Sequence, residues 1–490
     1  MLILNPIAPR PRSIQGFPVA RGAFPWIGHL PALAIDTLSF IRSAERRHGP
    51  LFFIENGFGA RMLICAHPEA FDVFKSKVAS SGYMGEGALG EMFGGSVITQ
   101  DGAVHHRMRA VLNGPFTPRG LSAAEVGPLV AGIVERRAAR FMSGEPLRVL
   151  AETRELALDV IFRVVGIDDD ELGAWRRNYA DALLLLVNLP LDLPGTPHWR
   201  GRRGKAWVDA RLLESVRAAR ARPPQDGLLS ALVHGRGAEG ETLSDGELVD
   251  NLRLVMLAGH ETSASVMAWI IGLLAERREL WERLTEEVRT LGRIPVSPAD
   301  LRALPFTEAL FREVLRLYPP VTNDARETTG ELELSGRTIP KGTRVGIPIL
   351  HLSRHPALHD RPDELRPERW LDRKRGITPL EIMQFGGGPH FCLGYHLAWM
   401  EIMQLMAALA LAAGERGLAP RLAGAPPTPR YLPLLHPSGS LRVAFASARN
   451  SIASPARTRS ASSGTTWRSS GRPSSPAAPA RRSRCAQASS

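Results

Sequence analysis

Apolar and polar positions along the chain fall into distinct regimes. Two short runs of β-type residues, Leu51–Ile54 and Met62–Cys65, lie between Gly and His-Pro turns and predict strands. A glycine-rich stretch, residues 81–95, predicts a mobile loop. Beyond it, apolar residues recur at helical spacing as far as Pro320. Between Arg326 and Pro348 the period changes to two: Leu332 and Leu334 alternate with acids, Ser335-Gly336 marks a turn, and Arg337–Ile339 follows. The pattern therefore predicts a mostly α fold with a minor β region. From about Ala446 the residues are mostly Ser, Ala, Arg, Pro and Gly with no periodic apolar face, and residues 446–490 read as a disordered basic tail.

The best-defined element is a helix from Ser244 to about Ala275. Ser244 and Glu247 have capping-box spacing, S-x-x-E, ahead of an apolar run. Its ~30 residues at 1.5 Å each give roughly 45 Å, enough to cross a domain. Being apolar on most sides, it should be buried. Its middle nevertheless carries Ala258-Gly259-His260-Glu261-Thr262, polar residues where a core helix least tolerates them.

Composition changes the picture in three places. No linker interrupts the stretch from Gly22 to Phe445, so residues 22–445 read as one large domain, with 1–21 as an extension. The three cysteines, Cys65, Cys392 and Cys485, are too scattered for a disulfide framework. No CxxC or close His pair accompanies them, which fits a reducing, cytoplasmic setting. Of the formal net charge of +12, eight units sit on arginines from Arg449 onward, where there is no acid, so the rest carries only +4. That points to a solvated tail, with a basic docking arm as the rival, and not to nucleic acid. The N-terminus is apolar for four residues before Pro6, far short of the ~20 that a membrane span needs.

Cys392 lies in Phe385-Gly386-Gly387-Gly388-Pro389-His390-Phe391-Cys392-Leu393-Gly394 and starts an apolar helix through Leu397, Met400 and Met403. The glycines allow a tight loop whose backbone can approach a flat ligand. A thiolate at the start of that helix would gain from its N–H groups. An isolated cysteine there would read as a buried structural residue. A second pattern, Glu313-Val314-Leu315-Arg316, puts an acid and a base on one helix face and is weak alone. A mid-helix Thr262, taken alone, often only bonds back to the carbonyl four residues earlier.

Taken together, F-x-x-G-x-x-x-C-x-G around Cys392, E-x-x-R at Glu313 and Arg316, Pro367-Glu368-Arg369-Trp370 and A-G-x-E-T at Ala258–Thr262 occur in one order. In that order the chain resembles the cytochrome P-450 family over roughly residues 20 to 445. The resemblance implies the single-domain, mostly helical prism fold with a long central helix. It implies haem b held by Cys392 beneath Phe385, with His105, Arg109, Arg326 and His390 as partners of the propionates, each otherwise a surface cation. It assigns Thr262 and Glu261 to oxygen activation, and Glu313, Arg316 and Arg369 to a structural triad. It also suggests a substrate pocket lined by Leu89, Phe93, Leu254, Ala258, Val321 and Ile347, with Tyr83 and Met84 nearby. His260 reads as a packed neighbour.

The implied reaction is monooxygenation of an apolar terpenoid, steroid, fatty acyl or polyketide substrate by O2 in a monomeric enzyme. No flavin or nicotinamide module fits in the chain, so NAD(P)H electrons would arrive through a ferredoxin or flavodoxin-type donor and its reductase. A haem-thiolate isomerase or peroxygenase would not need the Glu261–Thr262 pair. A haem-binding sensor would need neither that pair nor an electron donor.

Overall fold

The computed structural model describes residues 12–57, 59–167, 171–186, 191–371 and 376–447. Its helical body is built around the long helix Asp245–Glu276. The capping box forms: the Ser244 hydroxyl accepts the Glu247 N–H at 3.3 Å, and the Glu247 carboxylate accepts the Ser244 N–H at 2.9 Å. Two of the four N–H groups that every helix start leaves open are thereby satisfied. Helices Val149–Val164 and Pro197–Arg220 pack on the long helix, as does Tyr395–Arg416, which in turn packs on Val126–Phe141. Trp269 stacks on Tyr318 with ring centroids 3.8 Å apart, joining the long helix to the end of helix Pro305–Leu317. Two helices, Asp245–Glu276 and Tyr395–Arg416, are long and apolar enough to cross a bilayer, but both run through the protein's own core.

The minor β region is a five-stranded sheet in the order Leu51–Glu55, Arg61–Cys65, Arg344–Ile347, Asp324–Thr328, Ala79–Ser80. Val345 pairs with Leu63 in parallel and with Arg326 antiparallel. The expected Leu332–Leu334 and Arg337–Ile339 strands form a hairpin. Its two-residue turn, Ser335 and Gly336, has both φ angles positive, as a type I′ turn requires. The sheet's core includes Leu63, Cys65, Phe71, Phe74, Val345, Ile347 and Met383.

Three expectations are corrected. The folded body starts before Gly22: Ser13–Ile14 pairs with Phe17–Pro18, Phe17 is 1% exposed, and the Ala20 N–H donates to the Phe53 carbonyl. At the other end, strand Arg442–Ser447 pairs with Leu418–Leu422, so Ala446 and Ser447 belong to the sheet. The rest of the basic tail, with Cys485, lies outside the described residues. The glycine-rich stretch is a 3-10 turn, Gly82–Gly85, followed by helix Gly87–Phe93. What fixes it is distant in sequence. Arg253 of the long helix donates to the Met92 carbonyl at 2.6 Å, and Asp250 accepts the Gly95 N–H at 3.1 Å.

Candidate active site

The Cys392 loop is shaped by glycines that no other residue could replace cheaply. Gly386 and Gly388 have φ of 75° and 61°, in the left-handed region. A Cβ at Gly388 would lie 1.9 Å from the Phe74 carbonyl oxygen, and one at Gly387 would meet the Phe71 and Phe74 rings at 3.0 Å. The loop is thus pressed onto these two phenylalanines. The Cys392 N–H donates to the Phe385 carbonyl at 2.9 Å, closing the turn, and the Phe385 ring meets Tyr395 edge-on at 4.7 Å. The following helix begins at Tyr395, not at Cys392. Cys392 therefore sits ahead of the helix, held in the turn. Burial raises its thiol, while the Gly394 N–H and the nearby Arg109 charge act in the opposite direction.

Four cationic candidates gather at this loop: two from helix Gly102–Phe116, one from strand Asp324–Thr328 and one from the loop itself. Arg109, on helix Gly102–Phe116, is partly buried and has no ion pair or hydrogen bond among the described residues; its electrostatic partner is Cys392. His105, one turn earlier, is 3% exposed and its Nε2 has no partner. Its ring lies 4.2 Å from that of His390. Burial first, then the His390 and Arg109 charges, hold His105 down to about 4. His390 contacts Asp101 at 3.0 Å and Ser81 at 3.1 Å. Arg326 is buried, pairs with Asp324 at 2.8 Å and lies over the Phe74 ring. A partly buried guanidinium without a hydrogen bond among the described residues and a buried imidazole with an unpartnered Nε2, beside a thiol and a glycine cradle, suit a flat group with acidic edges. The residues fit a haem.

The long helix supplies the opposite chemistry. Its flanks are buried, yet Ala258 is exposed and Leu254, Val255, Gly259 and Thr262 are half-exposed. Positions 254, 258 and 262 share one face, so a strip of a core helix is left uncovered at mid-length. The Thr262 hydroxyl donates to the Ala258 carbonyl, the local bond that a mid-helix threonine often makes. Its oxygen keeps lone pairs for a further partner. Glu261 is gripped by Arg154, whose Nε and Nη2 donate to it at 3.1 and 2.9 Å. His260 is buried edge-on against Tyr179, with ring centroids 5.8 Å apart.

Pocket candidates divide. Phe93 joins a buried cluster with Met92, Ala182 and Leu185, against which Leu254 packs. Leu89 and Val321 are 43% and 37% exposed. Ile347 is corrected: it is fully buried in the sheet core, because strand alternation sends it inward with Val345. Tyr83 packs with Arg344 and reaches the Ala325 carbonyl.

The triad is assembled beneath. Arg316 grips Glu313 through two bonds of 2.9 and 2.8 Å, and both side chains are completely buried. Arg369 donates to Glu313 at 2.9 Å. Sequence reasoning missed two further donors to Glu313, the Trp370 indole at 2.8 Å and the Arg366 N–H at 2.9 Å. It also missed Arg154 and Asp101. A carboxylate opening helix Gly102–Phe116 reads as a cap, whereas Asp101 instead binds Ser80, Ser81, Gly82 and His390.

A family model described as cytochrome P450 matches residues 191–411. Cytochrome P450 BJ-4 of Bradyrhizobium diazoefficiens is 41% identical over 445 residues, covering 91% of this chain and 99% of that protein. Cyclooctat-9-en-7-ol 5-monooxygenase of Streptomyces melanosporofaciens is 31% identical over 413 residues, covering 80% and 88%. Among solved structures, a cyanobacterial protein with retinoic acid bound superposes with a TM-score of 0.74 at 25% identity, covering 88% of this chain and 99% of that one.

Proposed function

The chain belongs to the cytochrome P450 family and is a haem-dependent monooxygenase, and from that premise we propose that it oxidises a medium-sized apolar substrate, terpenoid first among the candidate classes. Electrons come from NAD(P)H through a separate ferredoxin or flavodoxin-type donor and its reductase, in the cytoplasm. When bound, the haem supplies oxygen activation, so that R–H, O2, two electrons and two protons give R–OH and water.

Cys392 would hold the iron as a thiolate. Arg109 and His105, both without protein partners on their free groups, would take the propionates together with Arg326 and His390, and Phe385 would pack against the haem. Thr262 keeps its proton on the Ala258 carbonyl and offers lone pairs to water, while Glu261 swings between Arg154 and that water to carry protons inward. Glu313, Arg316 and Arg369 fix the backbone below.

The observation that carries the substrate class is the uncovered strip at Leu254, Ala258 and Thr262, continued by the apolar Phe93 cluster. An apolar molecule gains by covering such a strip. Two comparisons favour a terpenoid: one relative is named for an alkenol substrate and one solved neighbour holds retinoic acid. The test is a panel of terpenoid, steroid, fatty-acyl and polyketide compounds, read by the spin-state shift of the haem spectrum and by turnover with surrogate donor proteins. Terpenoids should give the strongest shift and a product heavier by one oxygen. A shift confined to another class would overturn the assignment.

A further inference from the structure

We propose that Glu45, His351 and His355 form a binding site for a divalent transition-metal ion, zinc foremost, that clips helix Leu30–His48 to the turn beginning at Ile349. The donor atoms come from two elements far apart in sequence. Glu45 sits near the end of its helix. His351 lies in the helical turn Ile349–Leu352, and His355 follows beyond its end with its ring 5.7 Å from that of His351. One donor atom from each lies within 4.8 Å of the other two. The His351 Nε2 is 3.2 Å from one Glu45 oxygen, and the His355 Nε2 is 3.8 Å from the other. Tetrahedral zinc with bonds of about 2.1 Å separates its ligands by roughly 3.4 Å, so these edges are close to those of a small three-ligand zinc site.

Second, the His351 side chain is 4% exposed and its Nδ1 has no partner. At present its Nε2 also meets the Ala66 carbonyl at 3.0 Å. A metal would replace the Ala66 carbonyl as the partner of the His351 Nε2, and the His351 proton can sit on its unused Nδ1. The His355 Nδ1 now accepts the Ala357 N–H at 3.2 Å, a long bond that this ring would give up. The positive charges that oppose a cation here are Arg42, itself paired with Asp363 at 2.8 Å, and Arg46.

Two imidazoles and one carboxylate select zinc-like ions over magnesium or calcium, which prefer oxygen ligands throughout. The fourth position is open to water; the His67 ring lies 6.0 Å from that of His355. The clip touches the core scaffold. Between the two histidines lies Ser353, whose carbonyl accepts Arg316 at 3.0 Å and whose hydroxyl accepts Gln384 at 2.8 Å. The role is structural, and it is separate from the Cys392 chemistry.

The experiment uses the full, haem-loaded chain without a polyhistidine tag, freed of metal by a chelator. Zinc is titrated against a chromophoric zinc indicator, and Tm is followed with and without zinc or magnesium. One equivalent per haem should bind, with a rise in Tm that magnesium does not produce. Glu45→Gln and His355→Asn should each weaken zinc binding by at least about tenfold and abolish the Tm shift. An unaltered haem spectrum in either variant shows that it is folded, and one folded variant suffices. Absence of a tight equivalent, or equal affinity in a folded variant, overturns the site.

Discussion

At the residue scale, the chemistry rests on groups whose neighbours leave one function free. Cys392→Ser should lose the strongly red-shifted carbon monoxide band, since a neutral hydroxyl is a far poorer iron donor than a thiolate. Retention of that band would remove Cys392 from the iron. Thr262 donates to Ala258, so its contribution depends on an oxygen whose lone pairs can hold and orient the proton-carrying water. Thr262→Ala should leave substrate affinity intact and divert NAD(P)H electrons to peroxide, with coupled product falling by about tenfold or more. Comparing NAD(P)H consumed with product formed checks this; unchanged coupling would exclude the relay. The Arg154 grip on Glu261 is a further lever, because those atoms must part before Glu261 can turn. Nothing in A-G-H-E-T announces Arg154, which lies 107 positions earlier.

At the scale of elements, legibility followed the range of the interactions. The long helix, its capping box and the Ser335-Gly336 hairpin are dictated by residues within a few positions of one another, and the sequence pattern located them. The stretch 81–95 misled because its many glycines say only that the chain is free to bend. Its order comes from Arg253 and Asp250 on another element. The start of the helix after Cys392 was misread for a similar reason: the bond from its N–H to Phe385 holds the cysteine in the turn. Arg253 is 1% exposed and links Met92, Asp250 and Asp209. Arg253→Ala strands those partners and should release helix Gly87–Phe93. Hydrogen exchange should rise across residues 87–97, with substrate affinity reduced and the haem spectrum kept. Equal protection would mean the helix stands without its strap. The Glu313–Arg316 pair is less forgiving. Either alanine leaves a buried charge unmatched, a cost of about 3–5 kcal/mol, and should give haem-poor protein of low Tm.

At the scale of the whole molecule, the buried titratable groups set how the fold responds to acid. His351 and His359 are 3% and 5% exposed, and burial holds both at about 4. For His359 the Arg316 and Arg369 charges add to the effect, placing it beside the triad. An unfolded histidine titrates near 6.5. Between about pH 6.5 and 4 the unfolded chain therefore binds protons that the folded chain refuses, so stability falls as pH drops through that window. Glu313 adds a loss at lower pH. Burial alone would raise its carboxyl, but the Arg316 bonds and charge, with Arg366 and Arg369, carry it below the usual range. Its contribution is present above the ordinary carboxylate value and disappears as pH falls through the depressed one. These histidines should thus lower Tm steadily below about pH 6.5, against the opposite trend of Glu401, whose carboxyl burial pushes up to about 8. His359→Gln keeps a neutral polar side chain against Trp370 and removes one titration, worth at most about 3 kcal/mol. In that variant the decline between pH 6.5 and 4 should be shallower, with the loss at lower pH unchanged. A slope identical to that of the parent would mean that His359 reaches solvent and gains its proton without unfolding.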